Sequence, residues 1–115
     1  GIKISSGNSF VHETESQVIL NGSYDVGFTM DLVCKDIGLF EKLANKYKIP
    51  AELSKLINNI FQKGKKEFGE RSLSTSIVKL LEDKCNVQLR AKGFPSMLED
   101  QEIKKKATEV KINHD

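Results

Sequence analysis

Between Leu32 and Gly64 the apolar residues recur at three- and four-residue spacing, and Pro50 breaks the run. That period lines one side of a helix, whereas proline, which has no N–H, is tolerated in a helix's first turn and not in its interior. The stretch therefore predicts two helices, one from Thr29 to about Tyr47 and one opening at Pro50, joined so tightly that they must lie antiparallel. In the first, Leu32, Val33, Ile37, Leu39, Phe40, Leu43, Ala44 and Tyr47 share one broad face at about 100° per residue. Asp36 falls in the middle of that face. The other charges, Asp31, Lys35, Glu41, Lys42, Lys46 and Lys48, lie outside it, with Lys35, Lys46 and Lys48 nearest its edges. In the second helix Leu53, Leu56, Ile57, Ile60 and Phe61 form the stripe, and they are the expected core.

A carboxylate set in an apolar stripe costs several kcal/mol unless it is paired or hydrogen-bonded. Two explanations stand side by side. Asp36 either accepts hydrogen bonds from a neighbouring helix start or pairs with a lysine, or the face around it meets a separate domain across a ligand cleft. In the second case Lys35 donates to a polar or anionic ligand. Phe28, about two helical turns earlier, shares that wall.

The rest of the chain supplies shorter elements. Residues 1–8 carry no period and read as a linker from something upstream. Ser9 can cap a short helix, though His12 three places on cannot close a capping box. A further turn from Ser16 to Leu20 points Val18, Ile19 and Leu20 inward and stops at Asn21-Gly22-Ser23. Lys63 to Arg71 reads as a charged, Gly-punctuated loop. Ser72 or Ser74 then caps a third helix, with Ile77, Leu80 and Leu81 inward, running to about Cys85. Val87, Leu89, Phe94, Pro95, Met97 and Leu98 suggest an irregular strap across the helices. Residues 1–98 are thus expected to form one helical domain and 99–115 a polar, frayed tail.

Composition excludes several functions. Hydrophobic residues are 38% and charged residues 30% of 115, a globular balance. No apolar run approaches the ~18 residues of a membrane span, and the N-terminus lacks a signal peptide's layout, so a cytoplasmic protein is expected. A net charge of +2 with dispersed lysines argues against nucleic acid. Lys63, Lys65 and Lys66, like the run Lys104-Lys105-Lys106, read as solvated surface. Cys34 and Cys85 have no metal-ligand spacing and are expected to be reduced and semi-buried. His12 and His114 are read as surface histidines. No Gly-rich phosphate loop, HExxH or GxSxG occurs, so neither a catalytic residue nor a metal ligand is assigned.

Gly27-Phe28, the run Val33-Cys34-Lys35-Asp36-Ile37-Gly38-Leu39, a helix opening at Pro50, a Gly64…Gly69 loop and Ser76-Ile77-Val78-Lys79 together resemble the C-terminal helical domain of the β-hydroxyacid dehydrogenases. That group includes 3-hydroxyisobutyrate dehydrogenase, tartronate semialdehyde reductase and relatives of 6-phosphogluconate dehydrogenase. Ser6-Gly7-Asn8-Ser9-Phe10 and Asn21-Gly22-Ser23-Tyr24 look most like the L-threonate dehydrogenase branch, and Gly93-Phe94-Pro95 also has counterparts in related dehydrogenases. The resemblance spans roughly residues 5–98. It implies an all-α, antiparallel helical bundle of the 6-phosphogluconate dehydrogenase C-terminal type, with Lys35 near the nicotinamide end of NAD or NADP. Phe28 would flank nicotinamide and substrate, and Asp36 would shape the substrate cleft.

The resemblance also implies what is missing. An N-terminal Rossmann domain of the same polypeptide would bind most of the cofactor, and the linking helix would carry the catalytic lysine; neither is in this chain, which alone should be inactive. Relatives often have an Asp before a Ser at the start of the third helix, where this sequence has Ser72, Ser74 and Thr75. A homodimer or tetramer is implied as well. The competing expectation is a free-standing helical interaction module that binds a partner through the Asp36 face without catalysis. Such a module should cover its own apolar stripes, whereas a domain of a larger enzyme should leave a large patch bare.

Overall fold

The computed structural model describes residues 1–98. The tail from 99 to 115, with its lysine run and His114, lies outside the described residues. A 3-10 turn at Ile2–Ile4 precedes α1 (Phe10–Asn21), α2 (Met30–Lys46) and α3 (Glu52–Phe68). A second 3-10 stretch, Ser74–Val78, then leads into α4 (Lys79–Cys85). Among the described residues there is no strand, only an isolated antiparallel bridge between Thr29 and Leu73. The architecture is all-α, as expected.

Ser9 does cap α1, its Oγ accepting the His12 N–H at 3.0 Å. The two expected turns are one continuous helix, Phe10–Asn21, along which the Thr14 hydroxyl and the Gln17 amide also donate to the carbonyls of Phe10 and Glu13. Gly22 ends it at φ 93°. Glycine is required there twice over, since an added Cβ would also lie 2.6 Å from Arg90 Nε.

The start of α2 is clasped by the segment after α3. Met30 N–H donates to the Ser72 carbonyl at 2.8 Å and Asp31 N–H to that of Glu70 at 3.0 Å, while Ser74 N–H donates to the Phe28 carbonyl at 2.8 Å. Two of the N–H groups that a helix leaves unpaired are met in this way. Neither Ser72 nor Ser74 caps the helix that follows. Ser72 Oγ donates instead to the Gly69 carbonyl at 2.7 Å, and Ser74 is buried. Likewise, Lys63 to Phe68 is helical rather than loop, with Lys65 paired to Glu70 at 3.0 Å, and α3 opens at Glu52, after Pro50.

The small core collects where α1, the start of α2, the end of α3 and the 3-10 stretch meet: Val18, Tyr24, Met30, Thr75 and Leu80 are buried. Gly64 lets α3 approach, since a Cβ there would meet Ile77 Cδ1 at 2.5 Å and Met30 Cε at 3.4 Å. Cys34 is buried as expected, but Cys85 is exposed.

The larger correction concerns the hairpin. α2 and α3 are antiparallel, yet they meet along one edge of each stripe. Met30, Cys34 and Ala44 are buried and Ile37 and Glu41 half-buried on α2, facing Ser54, Asn58, Phe61 and Lys65 on α3. Glu41 is central to this seam, accepting from Asn58 Nδ2 at 2.9 Å and Ser54 Oγ at 3.3 Å. The middle of the α2 stripe is bare: Leu39, Phe40, Leu43 and Tyr47 are each more than half exposed. On α3, Leu53 is 69% and Leu56 57% exposed, with Ile57 and Ile60 also open. These expected core residues are therefore surface. A glutamate hydrogen-bonded between the helices fixes their rotation, and that rotation turns the apolar rows outward.

The strap is likewise not held by its hydrophobic residues, of which Val87, Leu89, Met97 and Leu98 are exposed. Polar bonds to the end of α1 hold it. Ala91 N–H donates to the Leu20 carbonyl at 3.0 Å and Asn21 Nδ2 to the Phe94 carbonyl at 2.9 Å.

Candidate cofactor-facing surface

Lys35 and Asp36 stand on the N-terminal half of α2 with their side chains 58% and 57% exposed. Lys35 Nζ lies 3.2 Å from Asp36 Oδ1, an exposed pair of neighbours worth at most about 1 kcal/mol. The burial cost expected for Asp36 does not arise, because the part of the stripe that holds it is uncovered. Phe28 is also exposed, just before α2, with its backbone fixed by the bond from Ser74. No hydrogen bond or ion pair joins Phe28 to Lys35 or Asp36 among the described residues.

The α2 N-terminus is closed to anions. Met30 and Asp31 donate to the clasp, Leu32 and Val33 donate to the Thr29 carbonyl, and the Asp31 carboxylate adds negative charge. The Thr29 hydroxyl, with Arg71 3.3 Å away, holds the Asp31 carboxyl below its ordinary range. An anionic group such as a phosphate thus finds no cradle at this helix start. In the seam, burial pushes the Cys34 thiol up, which makes it inert rather than nucleophilic. No group of three His, Cys, Asp or Glu side chains among the described residues is placed to hold a metal ion.

A second polar constellation escaped the sequence. Glu82 is buried; its Oε2 accepts from the Tyr24 hydroxyl at 2.7 Å, and its Oε1 from the Leu89 N–H at 2.7 Å and Arg90 at 3.0 Å. Arg90 also donates to the Tyr24 hydroxyl at 2.7 Å, and Lys79 Nζ sits 4.4 Å from the Tyr24 ring centroid. Burial alone would raise the Glu82 carboxyl, but the bonds from Tyr24, Leu89 and Arg90 outweigh it and hold the group below its ordinary value. Tyr24, Lys79, Glu82 and Arg90 line an open cleft of about 690 Å³. Glu82 is fully engaged within the protein, so the trio is a clamp joining the strap to α4 and the α1–α2 loop. Tyr24 lies 58 residues from Glu82 in the chain, and Arg90 lies in a segment without a period.

The family model described as "NAD-binding of NADP-dependent 3-hydroxyisobutyrate dehydrogenase" matches residues 1–81. No curated protein and no solved structure gives a significant match.

Proposed function

The chain belongs to the NADP-dependent 3-hydroxyisobutyrate dehydrogenase family, and from that premise we propose that residues 1–98 close the active-site cleft of a two-domain dehydrogenase. The intact enzyme moves a hydride between a small 2- or 3-hydroxy acid and NAD or NADP. A Rossmann domain of the same polypeptide holds most of the cofactor and a lysine outside this chain shuttles the proton.

The observation that carries the proposal is the bare α2 face with Lys35 and Asp36 exposed beside it. A module complete in itself buries such rows, because each covered leucine contributes about 1.5–3 kcal/mol. This supports a domain whose surroundings come from elsewhere, and weighs against the free-standing module. Lys35 donates to the nicotinamide end, Phe28 walls it off from water, and Asp36 keeps the ammonium placed while bordering the substrate. The segments Ser6–Phe10 and Asn21–Tyr24 lead us to place the chain nearest the L-threonate dehydrogenase branch of the family. We place the protein in the cytoplasm, as its sequence leads us to expect; no helix among the described residues is long and apolar enough to cross a membrane.

The test is Lys35→Ala in the native polypeptide that carries this domain. The KM for NAD(P) should rise by about tenfold or more with a smaller change in kcat and unaltered helicity. Unchanged cofactor kinetics would refute the assignment.

A further inference from the structure

Two neighbouring residues of the 3-10 stretch grip the loop that carries Phe28 at both of its ends. The Thr75 hydroxyl donates to the Tyr24 carbonyl at 2.5 Å, and the Ser74 N–H donates to the Phe28 carbonyl at 2.8 Å. Within the loop, Asp25 Oδ1 accepts the Gly27 N–H at 3.3 Å, with Gly27 at φ 63°. Tyr24 stands at φ 57°, in the left-handed region that a bulky residue keeps only where its surroundings over-determine it. Three bonds do so. Its N–H donates to the Val18 carbonyl at 3.1 Å, its carbonyl accepts from Thr75, and its hydroxyl donates to Glu82 at 2.7 Å.

We propose that Thr75 is a positioning residue, whose hydroxyl sets the backbone of Tyr24 and, through the loop, the direction of the Phe28 ring at the cofactor cleft. The role rests on the proposed reading of Phe28 as a wall of that cleft, and names the residue that aims the wall. Burial supports it. Thr75 is 2% and Tyr24 4% exposed, whereas Phe28 is 37% exposed, so the ring takes its place from its backbone more than from packing. The Ser74 bond alone holds one point of Phe28 and leaves rotation about it. A second grip fixes the direction, and Thr75 supplies it with a side chain. Valine fills nearly the same volume without the hydroxyl. In its presence the Tyr24 carbonyl loses this donor, and the strained backbone relaxes and swings the peptide that leads into Phe28.

The experiment is steady-state kinetics on the native polypeptide that carries this domain, with Thr75→Val, Thr75→Ser, Phe28→Ala and the double variant Thr75→Val/Phe28→Ala. Thr75→Val should raise the KM for NAD(P) about fivefold, and Thr75→Ser, which keeps the hydroxyl, should stay within about twofold of wild type. A merely structural role lowers the folded fraction and with it the apparent kcat, but leaves the KM of the folded enzyme unchanged. Phe28→Ala should raise the same KM, and Thr75→Val should add less than about twofold to it, because both act through one ring. Should Thr75→Val fail to fold, Gly27→Val decides in its place. A β-branched residue resists φ 63°, and a Cβ there meets nothing within 4 Å, so this variant disturbs the loop from outside the core and should raise the KM likewise. With Phe28→Ala impaired, a wild-type KM in the deciding valine variant, equal damage from Thr75→Ser, or an additive double variant would overturn the positioning role and leave the cleft reading standing. An unchanged KM in Phe28→Ala would overturn both.

Discussion

The clamp around Glu82 and the α2–α3 hairpin show two opposite uses of a glutamate between elements. Glu82 is buried with every partner inside the protein, and it draws the strap, α4 and the α1–α2 loop into one closed unit. Glu41 is half-buried between two helices, and the rotation it fixes leaves their apolar rows facing out. One end of the molecule satisfies itself; the other is built for contact. The difference leaves the open apolar surface on the hairpin side, and it separates substitutions that unfold the chain from those that only change what it meets.

The comparison breaks most visibly at the core end. Met30→Ala should destabilise by about 2–5 kcal/mol, because Met30 is fully buried against Gly64, whereas Leu43→Ala should cost the monomer no more than about 0.5 kcal/mol. Denaturant unfolding of both, at a concentration that keeps the chain monomeric, checks the contrast. Glu82→Ala leaves Arg90 and the Tyr24 hydroxyl without their acceptor and should cost about 2–3 kcal/mol. Gly22→Ala should follow at about 1–2 kcal/mol, since it forces a side chain to φ 93° and into Arg90.

The smallest effect is one of pH. The folded Glu82 carboxyl lies below its ordinary value of 4.5, so the clamp's contribution is complete above that value and is lost as pH falls through the folded pKa. Wild type should therefore lose more stability than Glu82→Gln between neutral pH and the acid limb below 4.5. Parallel acid titrations of the two unfolding midpoints would show the clamp to be uncharged or unimportant.

Much of this architecture is legible in the chain. The three-four period and Pro50 are local signals, and they yield the hairpin and its antiparallel sense. Ser9 and Gly22 mark the ends of α1 because caps depend on neighbours alone. What the period cannot report is which side of a stripe meets the partner helix. A broad stripe of about 160° allows several rotations, and a polar bridge from Glu41 to Asn58, seventeen residues away, selects among them. The core expected at Leu53, Leu56 and Ile60 is for that reason surface. Asp36 stood out only as a charge in a stripe expected to be buried; the residue is exposed, and the role proposed for it rests on position and family likeness. Tyr24, Glu82 and Arg90 were out of reach because their contact spans 66 residues and ends in a strap without a pattern.

The account's central claim is that this domain works as part of a larger dehydrogenase, and the size of the native polypeptide tests it most directly. Mass spectrometry of the species that carries residues 1–98 in source cells should give more than twice the 12.9 kDa of this chain, with a Gly-rich nucleotide loop in the added sequence. A native species near 12.9 kDa would contradict the claim and leave a helical module whose open face serves association alone.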